Sequence, residues 1–199
     1  MRIGFDAKRA VQNFTGLGNY SRFIIDALSK AYPLNDYYLY SPKSPGNQSP
    51  VNLTDNILFK VPPADMAKGY WRSRGILADL KQHNIDVYHG LSNELPFGIN
   101  RTGIKSVVTI HDLIFLRFPQ YYAWFDRQIY KLKFRYACQN ADRIVAVSEQ
   151  TKKDIVSFWN IPPAKIEVIY QDCSELFQRQ YSPSEKAAIK NKYELPEKF

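Results

Sequence analysis

Apolar and polar positions along this chain switch repeatedly between a period of two and a period near 3.6. RIGFDA (Arg2 to Ala7) reads as a first strand, and a turn region from Asn13 to Gly18 follows it. Tyr20, Phe23, Ile24, Ala27, Leu28 and Ala31 then recur at i, i+3, i+4, i+7, i+8 and i+11, one face of a helix that Pro33 stops. DYYLYS (Asp36 to Ser41) predicts a second strand, and the Pro-, Ser- and Asn-rich stretch from Pro42 to Asn56 predicts a surface loop. A third strand follows at ILFKVP (Ile57 to Pro62), then a basic, aromatic helix from Lys68 to Gln82, then a fourth strand at DVYHGL (Asp86 to Leu91). SVVTIHD (Ser106 to Asp112) is almost continuously apolar, as suits a strand buried on both faces. The loop LIFLRFPQYY leads to a long helix over about 123–140.

RIVAVS (Arg143 to Ser148) is the next strand, and Ser148 caps a helix with Glu149 in its first turn that reaches Trp159. KIEVIY (Lys165 to Tyr170) is the last strand. Near the end of the sequence, Ser182, Pro183 and Glu185 form a capping box for a helix that breaks at Leu195-Pro196. Strands alternating with helices predict an α/β, Rossmann-like, doubly wound and mainly parallel sheet with helices on both faces. The expected division is one domain over 1–180 and a helix and linker over 181–199 that lead to a further domain.

Composition narrows the class without choosing a function. The 199 residues are 45% hydrophobic and 23% charged, the balance of a globular protein, with a mean hydropathy of -0.40 and no apolar run of spanning length. No secretory signal opens the sequence, so a cytoplasmic protein is expected, peripheral at most to the inner membrane surface. Cys138 and Cys173 have no Cys or His at ligand spacing and read as free thiols, not a zinc site. The net charge of +8 attracts nucleic acid, anionic lipid or a phosphorylated ligand alike. Lys68, Arg72, Arg74 and Lys81 mingle with Tyr70, Trp71 and Leu77 in one basic stretch. In the long helix, Arg127, Lys131 and Arg135 share one face while Phe125, Ile129, Leu132 and Tyr136 share another, which reads as a solvated face beside a core stripe. The sharper alternative for these cations is an anionic membrane surface.

In a doubly wound sheet the ligand lies beyond the carboxyl ends of the strands, where the Asn13–Gly18 turn, His111-Asp112 and Ser148 place polar groups. Gly16 and Gly18 permit close backbone approach and positive φ, and the helix that follows presents unpaired N–H groups to an anion. Ser21 and Arg22 stand where a dinucleotide fingerprint has its third glycine, and no G-K-[ST] follows, so neither that fingerprint nor a Walker A loop is present. His111 is placed to donate to a substrate hydroxyl or phosphate, with Asp112 orienting a polar partner. His89, followed by Asn93 and Glu94, could line the same cleft, and His83 reads as solvated. No D-x-D clamp exists, so no bound metal is expected, and the Glu167–Glu175 spacing is treated as chance because Glu167 lies in a strand.

Taken in order, RIGFDA, TGLGNYSRFIIDAL, DVYHGL, VVTIHD with LIFLRFPQYY, ADRIVAVSEQTKKDIV and KIEVIY resemble the N-terminal half of retaining, GT-B-fold glycosyltransferases of the large family-four group. The resemblance spans nearly the whole chain, with the departure that Gln171-Asp172-Cys173 stands where an Asn-Gly or His-Gly turn is common. It implies an acceptor-side domain facing a second, donor-binding domain across a cleft. Gly16, Leu17 and Gly18 would approach the donor pyrophosphate, His111 would contact the transferred sugar, and Asp112, Asn93 and Ser148 would bind substrate. The implied partners are a nucleotide-sugar donor and a carbohydrate or lipid-linked acceptor in polysaccharide or glycolipid biosynthesis, with no cofactor and no nucleic acid. Rival readings stay open: a basic nucleic-acid-binding domain, a non-catalytic phosphate-ligand-binding domain, and a nucleotide-sugar epimerase of the same fold.

Overall fold

The computed structural model describes residues 1–45, 51, 54–172 and 179–196. Its strands are β1 (Arg2–Asp6), β2 (Asp36–Tyr40), β3 (Ile57–Lys60), β4 (Val87–Gly90), β5 (Lys105–Ile110), β6 (Arg143–Ala146) and β7 (Ile166–Val168). They form one sheet in the order β3-β2-β1-β4-β5-β6-β7, and every neighbouring pair is parallel. The doubly wound sheet expected from the sequence is therefore the fold. Its helices are α1 (Lys8–Gln12), α2 (Gly16–Ala31), α3 (Lys68–Tyr70), α4 (Ile76–Gln82), α5 (Ile114–Arg117), α6 (Trp124–Asn140), α7 (Glu149–Trp159) and α8 (Pro183–Lys192).

From β1 the chain winds outward through β2 to β3, and from β4 it winds the other way to β7. Right-handed crossovers then place α1 and α2 on one face and α3, α4, α6 and α7 on the other. The side chains obey this division. Ile3, Phe5, Tyr37 and Leu39 pack with Tyr20 and Ile25 of α2, whereas Tyr38, Tyr40, Tyr88, Val108, Ile110 and Ile144 pack with Trp71, Leu80, Ala137 and Ile155. Alternate residues of each strand thus serve two separate cores.

Several sequence expectations change in detail. The first turn is mostly helical: α1 precedes it, and α2 already begins at Gly16. Gly16 and Gly18 lie within that helix and neither has positive φ; among the described residues the positive-φ glycines are Gly98 and Gly103. Gly18 is required for another reason, because a Cβ there would strike the Asn13 carbonyl. Arg22, one residue past Ser21 at the place of the absent third glycine, donates to the Ala10 and Asn13 carbonyls at 2.8 Å each and ties the end of α1 to α2. The loop before α6 contains α5, and just before it Asp112 Oδ1 accepts from the Ile114 N–H at 3.1 Å. The basic, aromatic helix is interrupted by a π-turn over Trp71–Gly75.

On α6 the core stripe is Tyr130, Phe134, Ala137 and Cys138, while Phe125 and Leu132 are 67% and 64% exposed. The helix carries two apolar stripes, and of the expected one Phe125 and Leu132 face outward while Ile129 and Tyr136 are half-buried, Tyr136 against Phe97. His83 is not solvated: its ring stacks on Tyr38 and its Nδ1 lies 2.9 Å from the Tyr40 hydroxyl. Cys138 is a free, buried thiol whose pKa burial pushes up to about 12. Cys173, Glu175 and part of the Pro42–Asn56 loop lie outside the described residues.

The two glycines at the start of α2 give a direct test. Gly18→Ala meets backbone and is expected to cost at least about 2 kcal/mol in urea unfolding. Gly16→Ala meets nothing within 4 Å and should change stability by no more than about 1 kcal/mol, in the stabilising direction.

Candidate functional site

The strand order reverses between β1 and β4, and the crevice of a doubly wound sheet forms at that point. Because side chains alternate, the crevice has two sides. On the α2 side, the hydroxyl of Thr109 lies 2.9 Å from His89 Nε2 and 3.1 Å from the Tyr20 hydroxyl. The edge of the Tyr20 ring meets the His111 ring at a centroid distance of 4.7 Å.

His111, directly after β5, is held on every side. Its main-chain N–H donates to Asn93 Oδ1 at 2.8 Å, and its carbonyl accepts from the Thr151 hydroxyl at 3.0 Å. Ring Nε2 lies 2.9 Å from the Leu91 carbonyl, and Nδ1 lies 3.3 Å from the Gln171 side-chain nitrogen. A carbonyl can only accept and an amide N–H only donates, so this network assigns the neutral tautomer with its proton on Nε2. Burial favours that neutral form and lowers the His111 pKa, against the Leu91 hydrogen bond and the nearby Asp112 charge. The sequence suggested a donor, but the neutral ring offers Nδ1 as an acceptor.

The other expected residues take clear places. Asn93 has a φ of 63° and a buried side chain, and its own N–H bonds the Thr109 carbonyl at 2.9 Å. Ser148 Oγ accepts from the Thr151 N–H at 3.1 Å, capping α7, and its hydroxyl is 3.0 Å from that of Thr151. Asn93 therefore holds the His111 backbone directly, and Ser148 reaches it only through Thr151. Asp112 is exposed beside them. At the start of α2, Asn13 Oδ1 accepts from the Thr15 N–H, the Thr15 hydroxyl and the Gly18 N–H. That leaves the N–H groups of Gly16 and Leu17 without partners among the described residues, aimed along the positive end of a 16-residue helix.

On the opposite side of the sheet lies an ion network that the sequence reading placed on a basic surface. Arg72 projects from the π-turn, and its Nη2 and Nε engage Asp6 at the end of β1 at 2.5 and 3.1 Å. Its Nη1 meets Glu94 Oε2 at 2.6 Å, and Lys133 of α6 approaches the same oxygen at 3.3 Å. The Arg72 and Asp6 side chains are only 14% and 5% exposed. Burial opposes the charge on Arg72, but the two carboxylates outweigh it and raise the pKa. A cavity of about 290 Å³ opens beside this network, lined by Asp6, Lys8, Lys68, Arg72, Glu94 and Phe97 among others.

His89 lies beneath the site instead of lining it, with its ring 5.9 Å from that of Phe5. Burial, and then the proximity of His111, lower its pKa from 6.5 to about 4. The folded state thus binds fewer protons than the unfolded state between those values, so stability falls as pH drops from about 6.5 to about 4. The His89 share of that loss is about 3 kcal/mol. Urea unfolding from pH 7 to 4.5 should show a flatter pH dependence for His89→Gln than for the parent chain.

With this geometry in place, similarity to known proteins becomes informative. Residues 15–171 match the model of Glycosyltransferase Family 4. The chain is 26% identical over 208 residues to an O-antigen chain mannosyltransferase B of Escherichia coli, covering 98% of this chain and 53% of that protein. Among solved structures, Anabaena Alr3699/HepE in complex with UDP and glucose aligns with a TM-score of 0.56 at 12% identity, covering 96% of this chain and 50% of that one. A glycosyltransferase from Rickettsia africae aligns with a TM-score of 0.53 at 13% identity, covering 99% and 50%. The chain therefore spans about half the length of the proteins it matches. A parallel seven-stranded sheet and a family match over most of its length together show that this chain belongs to glycosyltransferase family 4, as an N-terminal domain of the GT-B fold.

Proposed function

We propose that this chain is the acceptor-side domain of an enzyme that transfers a sugar from a nucleotide-sugar to a carbohydrate or lipid-linked acceptor, with retention, in polysaccharide or glycolipid assembly. The observation that carries the reading is the ring of His111, fixed at the crevice by the Leu91 carbonyl with Nδ1 held only by the exposed Gln171 amide, next to the open start of α2. The relative that builds O-antigen chains and the solved structure holding UDP and glucose support it.

In this reading the N–H groups of Gly16 and Leu17, with the helix dipole, face the donor pyrophosphate and stabilise the leaving phosphates. Gly18 contributes by letting the turn close on Asn13. A hydroxyl of the transferred sugar replaces the Gln171 amide as donor to His111 Nδ1, Asp112 orients a polar substrate group, and Asn93, with Ser148 acting through Thr151, holds the histidine in place. No cofactor takes part, and residues 181–199 lead toward a donor-binding half.

A second contact is favoured by the outward face of α6. Trp124, Phe125 and Leu132 are exposed there, beside Lys131 and Arg135. We propose that this face rests on an anionic membrane surface, with the protein otherwise in the cytoplasm. No described helix is long and apolar enough to cross a membrane.

Two measurements test these readings. In the full-length enzyme, His111→Ala should lower kcat by about 100-fold or more with little change in Tm, and undiminished kcat would remove His111 from the site. In vesicle flotation, the chain should bind anionic and not zwitterionic vesicles. Lys131→Glu and Arg135→Glu should each weaken binding by about fivefold or more, at about 1 kcal/mol per cation near the surface; binding that ignores lipid charge would refute the contact.

A further inference from the structure

The cavity on the Arg72 side plays no part in the donor reading, and its charges do not balance. Four cations line it, Lys8, Lys68, Arg72 and Lys133, against the two carboxylates Asp6 and Glu94. Both carboxylates are already engaged: Asp6 by Arg72, and Glu94 by Arg72 and Lys133. The ammonium groups of Lys8 and Lys68 have no ion-pair partner among the described residues. They come from separate elements, α1 and α3, and converge only at this cavity.

The wall is built to keep those charges in place. The π-turn over Trp71–Gly75 inserts a residue into the helical path and turns Arg72 inward, while Trp71 is buried against Asp79, whose Oδ2 accepts from its indole N–H at 2.6 Å. Such insertions are common at functional sites. The fixed Arg72 charge in turn disfavours the Lys8 ammonium: burial and then Arg72 lower its pKa, and the carboxylates do not offset this. An incoming anion would relieve that repulsion. Phe97 supplies an aromatic surface on the cavity, and 290 Å³ lies near the lower end of ligand-pocket volumes, about 300 Å³ upward.

We infer that this cavity is the acceptor pocket and that the acceptor carries a phosphate group, which Lys8 and Lys68 bind while its sugar lies toward Phe97. The inference rests on the glycosyl-transfer reading above and adds the acceptor's chemical class to it. Arg72 is not itself the anchor, since each of its three nitrogens already donates to Asp6 or Glu94 and its charge is matched by theirs. Its role is to hold the wall and to repel a competing cation. The phosphate could belong to a soluble phosphosugar or to a lipid-linked one, and both present the same oxyanion.

Amide NMR of the 199-residue chain tests the inference with named probes. Glucose 1-phosphate should shift the signals of Lys8, Gly69 and Ser73, inorganic phosphate should shift the same set more weakly, and glucose should shift none of them. Lys8→Gln and Lys68→Gln should each raise the Kd for glucose 1-phosphate by at least about fivefold, while Lys8→Arg should stay near the parent value. Dodecyl phosphate in place of glucose 1-phosphate separates the sources: tighter binding that is still lost in Lys8→Gln identifies a lipid-borne phosphate, and weaker binding a soluble one. Shifts confined to Gly16 and Leu17, equal binding of glucose, or a Kd unchanged in both glutamine variants would overturn the inference. UDP serves as the separate control for the donor reading, because it should shift Gly16 and Leu17 and leave Lys8 and Ser73 unmoved. If UDP leaves Gly16 and Leu17 unmoved in the full-length enzyme, where the donor-binding half is present, the donor reading falls whatever glucose 1-phosphate does.

Discussion

Between β1 and β4 the chain departs in opposite directions, so no crossover covers the carboxyl ends of these two neighbouring strands. In a parallel sheet that gap is where polar groups can collect without breaking either core. The alternation of side chains then sorts them. Phe5, His89, Thr109 and His111 belong to the α2 side, and Asp6, Tyr88 and Ile110 to the other. A one-residue slip in the register of β5 would exchange the faces and take His111 away from Tyr20 and Leu91. The parallel ladder therefore positions both sides of the crevice at once.

The two sides are stabilised by different physics. Around His111 the hydrogen bonds are neutral, and burial acts mainly by keeping imidazoles uncharged. Around Arg72 the charges themselves are enclosed. Removing such ions from water costs several kcal/mol each, and only close pairing with both carboxylates offsets it. A network of this kind adds little net stability but punishes any arrangement that leaves one partner alone. It therefore fixes the relative placement of β1, the π-turn, the β4–β5 loop and α6.

Much of this was legible in the residues. The seven strands stood out because each is a short apolar run bounded by turn residues. The caps of α7 and α8 were readable because Ser148 and Ser182 act on neighbours only a few residues away. The start of α2 was also visible, although Gly18 serves close packing against Asn13 and neither glycine has positive φ. What escaped was non-local. Asp6 and Arg72 are 66 residues apart, and nothing in either segment announces the other. Periodicity on α6 offered two apolar stripes, and only the packing of Tyr130 and Phe134 around Phe115 decides between them. The hydrogen-bonding sense of His111 likewise depends on a carbonyl and an amide contributed by distant segments.

One partner of His111 differs in kind from the rest. Leu91, Asn93 and Thr151 belong to the sheet's own loops and to α7, whereas Gln171 lies on the segment that leaves the sheet after β7. A donor on Nδ1 favours the neutral ring, so the proton affinity of His111 depends on where that departing segment lies. Drawing Gln171 away makes the imidazole more basic, and returning it restores a lone pair already engaged. Gln171 thereby makes the segment that follows β7 part of what sets the acid–base character of the crevice.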